Sequence, residues 1–228
     1  MKKLISFSII LLTIFILSAC GGSSNDTPPL LDVDLEGSTA FNPNTLLNNL
    51  STIPLSDLSA AEKESLVFMR EEEKLARDVY TVMYNKYRTK IFTNIAASEQ
   101  THTDAVLALI QRYDLVDPME TDVFGGFMNS ELQLIYDTLV TSGSISQLEA
   151  LYVGATVEEL DIYDLQYQKD SVVDNADIIY VYDNLLKGSR NHLRSFDKQI
   201  KNSGGTYTPV YISQDLYDSI VNSAIERN

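Results

Sequence analysis

The chain has 228 residues, with Lys+Arg 17 against Asp+Glu 32, a formal charge of -15, one Cys, no Trp and two His. That length suits one domain of ordinary size with additions, and 44% hydrophobic residues can fill its core. The acidic balance excludes nucleic acid as an expected partner and disfavours direct adsorption to anionic lipid, and the lone Cys excludes a disulfide framework, a Cys-built zinc site and a Cys₄ iron centre.

The first residues read as an address. Lys2 and Lys3 precede the apolar run Leu4 to Leu17, which is shorter than the ~20 residues that span a bilayer as a helix. This predicts a signal peptide over 1–19. The run ends in Leu17-Ser18-Ala19-Cys20-Gly21, which resembles the bacterial lipobox. The resemblance implies cleavage before Cys20, lipidation of its thiol and a membrane anchor through that lipid. Gly21 is not the Asp that marks inner-membrane retention in many such lipoproteins, so the same resemblance points to the outer membrane of the cell envelope. Loss of Lys2 and Lys3 would take the formal charge from -15 to -17.

Residues 20–56 read as a flexible tether. Gly21-Gly22-Ser23-Ser24-Asn25-Asp26 is followed by Pro28, Pro29, Pro43 and Pro54, with no sustained helical or strand period. Short apolar pieces such as Thr45-Leu46-Leu47 leave open whether part of it docks on the head.

From Ser59 the pattern becomes helical. Ser59-Ala60-Ala61-Glu62 is a capping box, and Leu66, Met69, Glu73, Ala76, Tyr80, Met83 and Tyr87 follow at alternating threes and fours. A second stripe runs Ile95, Glu99, His102, Val106, Leu109, Tyr113. After a break at Pro118, Gly125 and Gly126, a short helix is predicted from Asn129 or Ser130 to about Val140, ended by Gly143. Leu148, Leu151, Ala155, Glu158, Ile162 and Leu165 mark a third main helix, and Ile178, Tyr182, Leu185, Ser189, His192, Phe196 and Gln199 a fourth. The remainder, 203–228, reads as a C-terminal extension with one helix after Ser213. Four amphipathic helices without a strand run predict an all-α, four-helix bundle over 57–202. The long stretch between the second and third helices makes it two antiparallel hairpins joined by a crossover, the connection of ferritin-like bundles.

The chemistry lies in the seams. An ionised carboxylate in an apolar interior costs several kcal/mol unless it is paired or bound to a metal, and one seam Glu on each of three helices calls for such a partner. Glu99-Gln100-Thr101-His102 sets a carboxylate and an imidazole on one helical face. Both histidines of the chain fall on seams. Two carboxylate-bridged ions ~3.5–4 Å apart would take one imidazole each, and nitrogen with several oxygens suits iron or manganese. Each element alone has a plainer account. Glu-x-x-His occurs on solvated helix faces. Glu73 lies in the run Glu71-Glu72-Glu73, where a shift of one residue makes it a surface charge. His192 is equally accounted for as a core histidine paired with a carboxylate such as Asp161, and Tyr80, Tyr87, Tyr113 and Tyr182 as packing rather than radical relays. The order Glu, Glu-x-x-His, Glu, His on four successive seams favours the metal site.

Glu73-Lys74-Leu75-Ala76-Arg77-Asp78-Val79-Tyr80 resembles the Glu-x-x-Ala-Arg-x-x-Tyr signature of rubrerythrin-type proteins, and Ile95 to His102 is similar to their second helix. Val153-Gly154-Ala155-Thr156-Val157-Glu158-Glu159-Leu160-Asp161-Ile162 and Gly188-Ser189-Arg190-Asn191-His192-Leu193-Arg194-Ser195-Phe196 resemble more closely the domain of unknown function 2202, an uncharacterised ferritin-like family. The resemblance covers 58 to about 200. It implies a dinuclear centre with Glu73, Glu99, His102, Glu158 and His192 as ligands. Di-iron bundles usually carry Glu three residues before the last His, where this chain has Ser189, so Asp161 or Glu159 would have to supply that carboxylate. Two function classes follow: an iron-handling oxidoreductase of ferroxidase or peroxidase type, which without a Cys₄ centre needs an external electron donor, or a lipid-anchored structural or interaction module with a degenerate or purely structural metal site.

Overall fold

The computed structural model describes residues 28–227, so the signal peptide expected over 1–19 and the lipidation expected at Cys20 lie outside the described residues. In chain order the elements are β1 (Leu31–Val33), β2 (Thr39–Phe41), α1 (Pro43–Thr52), α2 (Ala60–Tyr87), α3 (Lys90–Arg112), α4 (Ser130–Gly143), α5 (Gln147–Ser171), α6 (Ala176–Asn202) and α7 (Gln214–Val221). The protein is mostly helical. No helix among the described residues is long and apolar enough to cross a membrane.

Local chemistry sets the helix ends. The Ser59 side chain accepts from the Glu62 amide, and Glu62 Oε2 accepts from the Ser59 amide at 2.9 Å. The other Glu62 oxygen accepts from the amides of Asp174 and Asn175 at 3.2 and 3.1 Å, so one carboxylate ties the start of α2 to the start of α6. A cap of this kind contributes about 1 kcal/mol. α2 ends at Arg88, whose φ of 59° turns the chain into α3. α2 and α3 pack as one hairpin and α5 and α6 as a second, and the two meet through α2 against α5 and α3 against α6. The seam residues Leu66, Met69, Tyr80, Val106, Leu109, Leu165, Tyr182 and Phe196 are all fully buried between them. Each large apolar side chain contributes about 1.5–3 kcal/mol by leaving water.

The connection between the hairpins lies over the outer face of α2. Arg70 Nε and Nη2 reach both oxygens of Asp117 at 3.1 Å, and Nη1 donates to the Thr103 carbonyl at 2.6 Å. Lys74 Nζ donates to Asp78 Oδ2 at 2.6 Å and sits 4.2 Å from the centre of the Phe127 ring. Arg77 grips Asp122 with two bonds of 2.8 and 2.7 Å. The Gly125 amide donates to Asp78, and Glu71 accepts from the amides of Met128 and Asn129 at the start of α4.

The tether expected over 20–56 departs from the structure over 31–52, where the chain folds into two strands and a helix. β1 and β2 form an antiparallel hairpin with Leu31 opposite Phe41 and Val33 opposite Thr39, all four buried, and the hairpin packs on α3. Asn42 caps α1 with Pro43 in its first turn, and Leu46 and Leu50 face inward. Strands of three residues are too short to display a period, which is why composition alone suggested solvation. The C-terminal extension also belongs to the packed body. Tyr217 donates to Asp197 at 2.8 Å, and Glu226 pairs with both Arg190 and Arg194.

Candidate metal centre

Helical spacing brings Glu73 of α2, Glu99 and His102 of α3, Glu158 and Asp161 of α5, and His192 of α6 to one level, each 1% exposed or less. His102 Nδ1 lies 2.8 Å from Glu99 Oε2 and 3.3 Å from Glu73 Oε2. His192 Nδ1 lies 2.8 Å from Glu99 Oε1 and 3.4 Å from Glu158 Oε2. The two rings stack with centres 5.3 Å apart and planes at 14°. Glu99 is common to two groups whose donor atoms lie within 4.8 Å of one another, Glu99 with His102 and His192, and Glu73 with Glu99 and Asp161. One carboxylate between two such groups is the arrangement of a bridging ligand.

These contacts are close, but they are not hydrogen bonds. Among the described residues, no donor is aligned on any oxygen of Glu73, Glu99 or Asp161 or on Glu158 Oε2, and both nitrogens of His192 and Nδ1 of His102 are likewise without an aligned partner. Buried polar atoms are nearly always satisfied, so a set of this size converging on one volume fits a bound cation. Four carboxylates and two neutral imidazoles would balance two divalent ions, and the oxygen-rich donor set with two nitrogens fits iron or manganese.

His102 Nε2 lies 2.9 Å from the Thr39 carbonyl of β2, which holds a proton on that nitrogen and leaves Nδ1 facing Glu99 and Glu73. Phe41 meets the same ring edge-on at 5.7 Å. The strand is docked by the residues flanking Glu99 and His102 on α3, Ser98 Oγ accepting from the Thr39 amide at 3.1 Å and Thr101 Oγ1 from the Phe41 amide at 3.0 Å. Tyr80 donates to Glu158 Oε1 at 2.5 Å and to the Gly154 carbonyl at 3.2 Å. Gly188 makes room for His102, since a Cβ there would stand 2.5 Å from the ring's Cε1.

Between the alternatives for the missing carboxylate, the geometry separates Asp161 from Glu159. Asp161 joins the cluster, whereas Glu159 Oε2 accepts from the amides of Val210 and Tyr211 at 2.7 and 2.9 Å and so holds the C-terminal segment. Ser189 donates back to the Leu185 carbonyl and offers the site nothing. His192 faces Glu99 and Glu158 rather than Asp161.

Sequence reasoning missed the groups that position the cluster, Thr39 and Gly188 among them, and the burial of Glu72. Glu72, beside Glu73 but turned toward Asp164 of α5, is fully buried with neither oxygen satisfied. The α5 pair Asp161 and Asp164, three residues apart, was the available signal for it. The interior also holds more acid than the surface reading allowed, since Glu71, Glu72 and Glu73 are all buried and each faces a different partner.

Electrostatics follow from burial and proximity. Burial pushes Glu73 and Glu158 up to about 7, partly offset by His102 and His192 respectively. Burial opposes ionisation of Glu99 too, but the two imidazoles overcome it and hold this carboxyl well below its usual range. Burial and the surrounding carboxylates, Glu73 foremost, raise Asp161 strongly. Burial would lower both histidines, yet facing carboxylates raise His192 to about 9 and His102 well above its ordinary value. In the absence of cations the cluster therefore retains protons.

Comparison with known proteins gives a consistent family and no activity. The sequence profile of a family described as "Uncharacterized protein domain (DUF2202)" matches residues 62–224. The uncharacterised protein MJ0754 of the archaeon Methanocaldococcus jannaschii is 50% identical over 182 residues, 80% of this chain and 98% of its own. The crystal structure of hypothetical protein MJ0754 superposes with a TM-score of 0.75 over 77% of this chain and 99% of the other.

Proposed function

We propose, given that the chain belongs to the DUF2202 family, that its four long helices form a ferritin-like bundle holding two transition-metal ions, iron in the first instance and manganese as the alternative. Glu73, Glu99, His102, Glu158, Asp161 and His192 are the ligands in this reading, with Glu99 bridging. The observation that carries it is the convergence of their buried donor atoms with no aligned hydrogen-bond partner.

When bound, such a pair supplies one-electron exchange at two adjacent centres, suited to oxidising ferrous iron or reducing oxygen or peroxide. The chain's own groups prepare the site. The Thr39 carbonyl sets the tautomer and ring plane of His102, and the Tyr80 hydroxyl fixes the Glu158 carboxylate by its short bond. Full burial keeps bulk water from the ligands and strengthens their hold on charge. Repeated turnover requires electrons from an external donor. We further place the chain at the cell envelope, anchored through lipid on Cys20, a reading supported by residues 2–21 alone and tested by loss of fatty-acid labelling in Cys20→Ser.

The test is metal content. The full chain, stripped with a chelator and titrated with ferrous iron, manganese and zinc, should bind two ions, and Glu99→Ala should bind fewer than one. Uptake below one ion by the unaltered chain sinks the reading. If two ions bind but neither oxygen nor peroxide changes their oxidation state, the ions serve to join four helices.

A further inference from the structure

Glu72 is a buried carboxylate that the six-ligand set does not use. It is 0% exposed, and no donor among the described residues is aligned on either oxygen. The charged groups felt most strongly there are acids, Asp164 at hydrogen-bonding range and then Glu73. The nearby Tyr182 hydroxyl shares its hydrogen bond with Ser65 at 2.9 Å.

Position gives this group its meaning. Asp161 and Asp164 are three residues apart on α5, so they share a face and stand about 4.5 Å apart along the axis. Asp161 belongs to the buried cluster, whereas Asp164 is only half-buried and lies near the exposed Tyr211. Glu72 acts on both aspartates from the facing helix. Asp164, Glu72 and Asp161 therefore descend in that order from the solvent boundary to the proposed metal pair.

We propose that Glu72 and Asp164 form a transit site for a divalent cation, taking ferrous iron or manganese from solvent and handing it to Asp161. The inference rests on the metal-centre reading above. Two carboxylates neutralise a divalent charge, and with water completing the coordination they hold it loosely enough to release it. The larger ligand set with two imidazoles lies further in, so transfer runs toward tighter binding. A proton shared between the two carboxyls is the competing occupant.

The experiment is the rate of loading of the chelator-stripped full chain with ferrous iron under argon, for the unaltered protein, Glu72→Gln and Asp164→Asn. Both substitutions preserve shape, and Asp164 is exposed enough that its variant should fold. Unaltered melting curves provide the check. Two ions should still bind at equilibrium in each variant, with loading slowed by about 10-fold or more, because an acidic path raises cation on-rates by that order. Added salt should slow loading of the unaltered chain more than that of Asp164→Asn. Loading at the unaltered rate in both variants overturns the transit site and leaves the metal centre standing, as a shared proton would predict. Loss of an ion at equilibrium in Glu72→Gln overturns it also, by making Glu72 a ligand. Failure of the unaltered chain to bind metal removes both readings.

Discussion

The two faces of α2 bury charge in opposite ways. On the outer face Arg70, Glu71, Lys74, Arg77 and Asp78 meet complementary groups, and the last four residues of that network reach the crossover through Asp122, Gly125, Phe127, Met128 and Asn129. On the inner face Glu72 and Glu73 are just as buried, but they face acids and an imidazole without aligned donors. Burial of charge is thus no guide to role by itself. A satisfied network holds the crossover in place, whereas an unsatisfied one is complete only when something else binds.

Perturbing each face should separate stability from metal binding. The largest stability effect is expected from Asp78→Ala, which leaves the buried Lys74 without its 2.6 Å partner. Breaking a buried pair costs about 3–5 kcal/mol. Denaturant unfolding should record that loss while the folded fraction still binds two ions, and a loss of metal without a loss of stability would erase the contrast.

The faces should also respond to pH with opposite sign. In the metal-free chain His192 is raised from 6.5 to about 9, so its stabilising contribution is full below 6.5 and lost as pH rises through 9. Glu73 and Glu158, raised to about 7, hold their protons more tightly folded than unfolded, and stability falls as pH rises from 4.5 through 7. On the outer face Arg77 lowers Asp122, and Arg70 lowers Asp117 against its burial, so those contributions exist above 3.8 and are lost as pH falls below it. The metal-free melting temperature should therefore drop by about 10 °C between pH 5 and 9. Bound metal should flatten that slope, and hydrogen-exchange protection over 117–128, taken relative to the intrinsic rate at each pH, should fall only in acid.

Smaller effects refine the inner face. Gly188→Ala drives a Cβ to 2.5 Å from the His102 ring, and such overpacking costs about 1–3 kcal/mol. Calorimetry should show this loss together with weakened metal binding, in contrast to Asp78→Ala. Ser98→Ala frees the Thr39 amide and loosens the strand that orients His102, with metal affinity expected to fall about 10-fold in a chelator competition. Unchanged affinity there would reduce the hairpin to packing.

Much of this was legible because it repeats with the helical period. Glu73, Glu99, His102, Glu158 and His192 sit on seams made mostly of apolar and aromatic residues, and an ionisable residue on such a seam is visible in a linear sequence. Asp161 was one of two options, since Glu159 follows Glu158 directly and Asp161 lies about one turn past it, and only packing against the C-terminal segment removes Glu159 from the choice. Glu72 was hidden because a seam assumes one buried face, while α2 is covered by α3, α5 and the crossover around its middle. The β1–β2 hairpin was hidden by brevity, and its dock was written inside the motif itself, where Ser98 and Thr101 receive the strand beside Glu99 and His102.

The acceptor that β2 offers His102 is a main-chain carbonyl, and a side-chain substitution at position 39 cannot delete it. Mutational scans reading one residue at a time would pass over this contact, although it sets the tautomer of a proposed ligand. Sequence drift at that position would instead be limited by whether the backbone stays in register, which Leu31, Val33 and Phe41 enforce from within the hairpin. Proteolytic trimming past Phe41 would remove the acceptor in one cut, so the chemistry of a buried histidine depends on the integrity of the segment that leads toward the N-terminus.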